Sequence, residues 1–365
     1  MSISELQQLE TFAYWRRRVM ATRQGKSLWG LSAAIEERLM NQAPLYALNG
    51  ARVDLFAEAT LKGAAQVDLS AQYAAELFAK SNPLRGRSVE QEGEFFRYYA
   101  GELEKLRPSL LKACALYLEA DIGEEAKEHV ASFINLAGDI AEELLPTILA
   151  YKGWLDRREQ VTAILKNLKP WCEPWHFGFM ESRREKPLRL VLILKNDLQT
   201  IEEILHLTGI SPLAQGGVRL LQNIAELDIF SYMLDLDIMP DGSVGSTVGI
   251  ELLPKNAIWP TRQQRLLATS EYKSFCDLLQ QAELADERLE ALMNVTFTAK
   301  NADVYIYSRI SHFKLRWQGQ KALPAKVYVQ LRGEKVQSCL NEALGYVKVL
   351  DNEREKEHEW SKKKL

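Results

Sequence analysis

In the stretch Ile310–Trp317, ISHFKLRW, and again in Ala325–Arg332, AKVYVQLR, apolar residues alternate with polar or charged ones. A period of two is the signature of a strand whose two faces meet different surroundings. On the first strand Ser311, Phe313, Leu315 and Trp317 share one face, and His312, Lys314 and Arg316 share the other. On the second, Val327, Val329 and Leu331 oppose Lys326, Tyr328, Gln330 and Arg332. Side by side, the polar rows make a basic surface with a phenol in it, a chemistry that suits phosphate or diphosphate. A solvated basic sheet face is the plainer alternative.

A second pair repeats the pattern upstream. Ile229–Ile238, IFSYMLDLDI, turns through PDGSVGS into Ser246–Leu253, STVGIELL. The glycines of the turn suit a hairpin. Here the non-apolar face carries Asp235, Asp237 and Glu251. Carboxylates this close raise at least one pKa by repulsion, which suits a general acid or base, or an Mg²⁺ site with oxygen ligands. Hydrated carboxylates on an outer face are the competing explanation. Before these pairs, Leu188–Lys195 (LRLVLILK) reads as a strand buried on both faces. Helices follow: one past Asp197 ending near Gly209, one over 212–226, one from Thr261 to about Ala282, one from Asp286, and a last over Glu334–Val349.

Residues 1–165 read as a helical domain. Leu6, Leu9, Phe12, Trp15 and Val19 keep helical spacing. Ser70 stands ahead of AQYAAELFAK, and Ser88 with Gln91 forms a capping-box pattern ahead of Phe95, Phe96 and Tyr99. Asp121 with Glu124 forms another, ahead of an apolar stripe from Val130 to Leu145, and Pro146 bends or restarts that helix. Arg16, Arg17 and Arg18 read as a solvated helix face, and Glu125 with His129 as a surface pair. Residues 166–187 change character: Trp175, His176, Phe177 and Phe179 lie in an irregular aromatic and proline-rich connector. Trp175 and His176 either line a ligand pocket or staple the two halves together. Arg183 and Arg184 follow them.

The expected fold is therefore α+β: an N-terminal all-helical domain (1–165), a connector (166–187), and a mainly antiparallel sheet of five or six strands backed by helices (188–350). A charged tail (351–365) is expected to be disordered.

Composition narrows the function. The chain has 365 residues, 47% hydrophobic and 26% charged, with a formal net charge of -3. No basic excess points to nucleic acid. The four cysteines form no CxxC, so neither a zinc knuckle nor a disulfide framework is indicated. No apolar run reaches membrane-spanning length, and the polar N-terminus lacks a signal core. A soluble cytoplasmic protein is expected. No phosphate-loop or dinucleotide motif occurs.

Two fragments carry a family likeness. Lys326-Val327-Tyr328 is similar to the Lys-x-Tyr strands of ABBA-type aromatic prenyltransferases, and Gly249-Ile250-Glu251-Leu252 is similar to their strand with an inward Glu base. The order of strand pairs and helices in the C-terminal half resembles their αββα units. The resemblance implies a barrel lumen in which Lys314, Arg316 and Lys326 hold a prenyl diphosphate, Tyr328 shields the developing cation and Glu251 takes a proton from the acceptor. The expected function is a tailoring enzyme or ligand-binding protein for an anionic small molecule, with Mg²⁺ a candidate cofactor. Catalytic candidates are Glu251, Asp235 and Asp237. Binding candidates are His312, Lys314, Arg316, Lys326, Tyr328, Gln330, Trp175 and His176. The rival is a non-catalytic adaptor holding a peptide in a groove between the two halves.

Overall fold

The strand Val53–Thr60 (β1) lies antiparallel to Lys321–Lys335 (β11), with Val53 opposite Gly333 and Thr60 opposite Lys326. That pairing closes a sheet into a ring. The computed structural model describes residues 53–335, apart from 65, 85–88, 113, 122–129, 136–140, 196–199, 211, 256–259, 293–294 and 302–303. Between its two ends run Val67–Ala74 (β2), Ala115–Asp121 (β3), Ala131–Asn135 (β4), Cys172–Phe179 (β5), Leu188–Leu194 (β6), Phe230–Ile238 (β7), Val244–Pro254 (β8), Phe297–Asn301 (β9) and Val304–Gln318 (β10). Each strand pairs antiparallel with the next up to β8, and β8 pairs with β10, which pairs with β11. The result is a closed ten-stranded barrel. The short β9 extends it along the free half of β10.

The strands come as successive hairpins, with helices in the connections. Helix α1 (Glu90–Leu106) lies between β2 and β3; α2 (Ala141–Tyr151) and α3 (Arg158–Leu168) lie between β4 and β5. Helices α4 (Ile201–Leu207) and α5 (Gln215–Glu226) precede β7, and α6 (Pro260–Leu267), α7 (Ser270–Gln281) and α8 (Arg288–Ala291) precede β9. Alternation gives the barrel an apolar outside and an inside that holds most of the charged residues, along with apolar ones such as Phe133, Val191 and Ile193. Leu69, Leu118, Ile134, Phe177, Leu190, Leu234, Ile250, Phe313 and Val327 point out and join Phe95, Tyr99, Leu149, Ile204, Leu220 and Phe275 from the helices. The core is thus an annulus between sheet and helices, and burying both apolar faces against each other drives its closure.

This overturns the expected fold class of an N-terminal helical domain on a five- or six-stranded sheet. Four strands lie where helices were expected. The alanines of β1 and β2 (Ala57, Ala59, Ala71 and Ala74) mimic helical composition, but long-range pairing outweighs propensities of a few tenths of a kcal/mol per residue, to the order of magnitude. Ser70 lies inside β2 and caps nothing, while Asp121 ends β3. The aromatic stretch at 172–179 is β5, which joins β4 to β6. Pro146 sits inside α2, so no helix restarts there. Glu334 and Lys335 belong to β11, not to a final helix. Residues 1–52, the capping residues Ser88 and Glu124, the pair Glu125 and His129, Asp197, and the rest of the final helix and tail lie outside the described residues.

One irregularity sets the inner face of β10. Arg309 pairs with Gln330 and Ile310 with Val329, but His312 pairs with Tyr328, so Ser311 is an inserted residue. The bulge changes the phase of the strand. Before it the odd residues Tyr307 and Arg309 share the lumen register; after it the even residues His312, Lys314 and Arg316 do. On its other edge β10 pairs with β9 up to Ser308 and with β8 from Phe313 onward. The amide of Gln263 on α6 fills this seam. Its Nε2 donates to the Ile310 carbonyl at 2.6 Å, and its Oε1 accepts from the Ile310 N–H at 2.6 Å and from the Thr296 hydroxyl at 2.9 Å. Gln263 is fully buried and substitutes for one residue of a missing strand.

Candidate active site in the barrel lumen

Lys314 and Lys326 face each other across β10 and β11, an arrangement of like charges that destabilises a sheet unless each finds its own counter-ion. They turn apart. Lys326 is in ion-pair contact with Glu58 of β1 and lies 3.7 Å from Asp68 of β2. Lys314 contacts Asp235 of β7 and lies 3.4 Å from Glu251 of β8. Arg189 of β6 makes a bidentate pair with Asp237, at 2.8 and 2.9 Å. Arg183, in the β5–β6 connection, lies 3.5 Å from Glu119 of β3. The lumen is therefore a ring of paired charges in which Lys314 and Lys326 each stand between two carboxylates.

Arg316 breaks this pattern. Its Nε is buried with no hydrogen-bond partner. Burial, the largest influence, lowers its pKa, and Arg189 and Arg183 act in the same direction. It borders a cavity of about 310 Å³ at one end of the lumen, with Arg183, Arg184 and Arg189 on the wall contributed by β6 and its approach. Lys314, Lys326 and Tyr328 stand on the wall of β10 and β11. Deeper in the barrel the lining becomes aromatic. The His312 ring stacks on Tyr328 with centroids 4.0 Å apart, and Tyr117 meets His176 edge-on at 5.0 Å.

The proton inventory follows from burial. Asp235 is pushed up to about 6, first by burial and then by Glu251, against the pull of Lys314 and Arg189. Burial also acts to raise Asp237, but the Arg189 guanidinium outweighs it and holds this carboxyl below its ordinary value. Burial and then Lys314 depress His312 to about 3, so the ring is neutral; its Nε2 lies 3.8 Å from Glu251 and its Nδ1 3.1 Å from the Ser311 hydroxyl. His176 is likewise held near 3 by burial. Burial, then Glu119, raises the Tyr328 phenol well above its usual range.

Of the residues singled out from sequence, Asp235, Glu251, His312, Lys314, Lys326 and Tyr328 come together around one axis. Gln330 is also inside, where it accepts from Arg309 at 2.6 Å. Asp237 is a partner for Arg189 rather than the third member of a carboxylate trio. His176 faces the lumen, whereas Trp175 is a bulge residue at the barrel's rim, 37% exposed, and Phe177 and Phe179 point outward into the core. Asp235, Asp237 and Glu251 do not fit an Mg²⁺ site: cations already stand between them, and no group of three metal-ligating side chains occurs among the described residues. Sequence reasoning missed Glu58, Asp68, Glu119, Tyr117 and Arg189. Their signal was available, since each sits at an alternate position of a strand such as VDLSAQYA or LRLVLIL.

No helix among the described residues is long and apolar enough to cross a membrane. No protein-family profile and no curated protein sequence matches the chain. Solved structures do. AnaPT from Neosartorya fischeri superposes with a TM-score of 0.55 at 11% identity, over 92% of this chain and 95% of that one. Prenyltransferase PriB superposes at 0.50 in its apo form and at 0.51 in its binary complex with product diphosphate. Both comparisons have 13% identity and cover 88% of this chain and 95% of the other. These neighbours are ABBA-type prenyltransferases, and the likeness extends over the first half as well as the second. The chain has their fold: a ten-stranded antiparallel barrel with a polar lumen and helices outside.

Proposed function

We propose that the lumen binds a diphosphate-bearing small molecule and transfers its prenyl group to an acceptor held in the aromatic half of the barrel. The observation that carries this is Arg316, a half-buried arginine whose buried Nε has no hydrogen-bond partner, beside a cavity of about 310 Å³ that three further arginines, two lysines and four carboxylates border. A buried guanidinium N–H without an acceptor is poised for an anion, and a guanidinium matches phosphate geometry. PriB, which shares the fold, forms a binary complex with product diphosphate, and this adds support.

In this reading Arg316 is the first anchor, with Arg183 and Arg184 at the mouth and Lys314 and Lys326 behind. The allylic C–O bond breaks and its electron pair leaves on the diphosphate, where the cations stabilise it. Tyr328, stacked on neutral His312, covers the allylic cation. The acceptor forms the new bond and loses a proton to Glu251, which His312 and Lys314 orient.

The test is thermal melting of the full chain with pyrophosphate and with prenyl diphosphates. Saturation at about 100 times Kd adds about 2.7 kcal/mol and raises Tm by several degrees. Arg316→Gln should remove the shift while leaving the unliganded Tm unchanged or higher. If no diphosphate moves Tm, the reading fails.

A further inference from the structure

We propose that the lumen takes its anion together with one proton from solvent, and that Asp235 is the group that receives it. This inference rests on the anion site proposed above and adds its coupling to pH.

The geometry leaves Lys314 with two masters. Its ammonium contacts Asp235 and lies 3.4 Å from Glu251, so one cation serves two buried carboxylates. The groups facing Asp235 have settled states. On its own strand Asp237 is cancelled by Arg189, which reaches over from β6. Glu251 faces it from β8, and His312 on β10 is neutral. Tyr328 on β11 keeps its proton. Arg316 of β10 stands opposite Gly249 of β8, and Gly249 stands opposite Asp235. Lys314 is therefore the cation that Asp235 and Glu251 share beside the cavity.

A polyanion entering that cavity needs Lys314, which Asp235 already holds. Either the anion forgoes Lys314, or Asp235 gives it up. Protonating Asp235 does the latter without moving the backbone: it removes one like charge and frees the ammonium to turn to the ligand. Asp235 suits this role better than its neighbours do. Burial and Glu251 already lift its carboxyl to about 6, whereas Arg189 locks Asp237 in the charged form. A bound anion lifts Asp235 further, and by linkage the proton then strengthens anion binding by the same factor.

The experiment is calorimetric titration of the full chain with inorganic pyrophosphate near pH 7, in two buffers of different ionisation enthalpy. The ligand's own protonation is measured in the same buffers and subtracted. The expected result is uptake of close to one proton per site in the wild type and none in Asp235→Asn. A second measurement needs no variant. Sulfate, which does not titrate in this range, should bind the wild type roughly tenfold more tightly for each unit the pH falls between about 8 and 6. Binding without proton uptake, or a sulfate affinity flat with pH, overturns the coupling and leaves the anion site standing. If neither anion binds at any pH, the anion site itself falls, and the coupling with it.

Discussion

Lys314 on β10 reaches Asp235 on β7 across the bare backbone of Gly249, on the strand between them. A methyl group there would stand 2.9 Å from Lys314 Cε and 3.1 Å from Asp235 Cβ. The absence of one side chain is thus what lets two residues two strands apart form the central ion pair of the lumen. Gly249→Ala should destabilise the protein. Elsewhere in a strand this change gains up to about 1 kcal/mol from the unfolded chain, but here overpacking and a disturbed buried pair cost roughly 1–3 kcal/mol. Urea denaturation measures the balance, and a variant as stable as the wild type would show that Lys314 does not need the gap.

Gln263 should matter to stability more than any sequence-local argument suggests. Its amide holds both backbone groups of Ile310 and the Thr296 hydroxyl in a fully buried seam. Gln263→Leu keeps most of the volume but strands those polar groups, each at about 1–3 kcal/mol. A loss of at least about 3 kcal/mol is expected in denaturant melts. A loss under about 1 kcal/mol would mean that the seam closes some other way.

The β10–β11 and β7–β8 hairpins were legible because each strand puts large aliphatic or aromatic residues on one face and charged residues on the other. Two faces, two solvents, one period: that signal needs no partner to be read. Strands β1 to β4 carry the same period, in VDLSAQYA for instance, but with alanine at outward positions and with Ser or Asn at places that look like helix caps. Local composition there favours a helix, and only the pairing of these strands with one another, closed by β1 on β11 more than 250 residues away, decides otherwise. The site was legible in the same measure. Lys326, Tyr328, Lys314 and Glu251 could be placed on inner faces, but their counter-ions Glu58 and Asp68 lay in the half misread as helical. For that reason a basic surface was expected where the lumen holds cations paired with carboxylates from the neighbouring strands.

In the proposed transfer Glu251 is the base, being within reach of His312 and Lys314 and not locked in a bidentate pair. Glu251→Gln should retain the fold and the diphosphate-dependent shift in Tm, and should lower single-turnover prenyl transfer by at least about 100-fold. Transfer at the wild-type rate would exclude it as the base.

His312 gives a pH signature with a definite sign. In the folded protein burial and Lys314 hold it near 3, against about 6.5 for a histidine in water. Between those values the unfolded chain binds a proton that the folded chain refuses. The stability is therefore fully present above about pH 6.5 and declines as pH falls, by up to about 1.4 kcal/mol per unit. Asp235 acts the opposite way, because its carboxyl is raised to about 6, so the raw pH profile is a composite. The difference between wild type and His312→Gln isolates the histidine. Lost packing on Tyr328 should make the variant less stable near pH 7.5, and the gap should narrow by about 2 kcal/mol by pH 5. His176, buried against Tyr117 and also held near 3, should behave alike, though not additively, because His312 helps to lower it. A gap that stays constant from pH 7.5 to 5 would mean that His312 accepts its proton in the folded barrel, and the neutral ring stacked on Tyr328 would have to be abandoned.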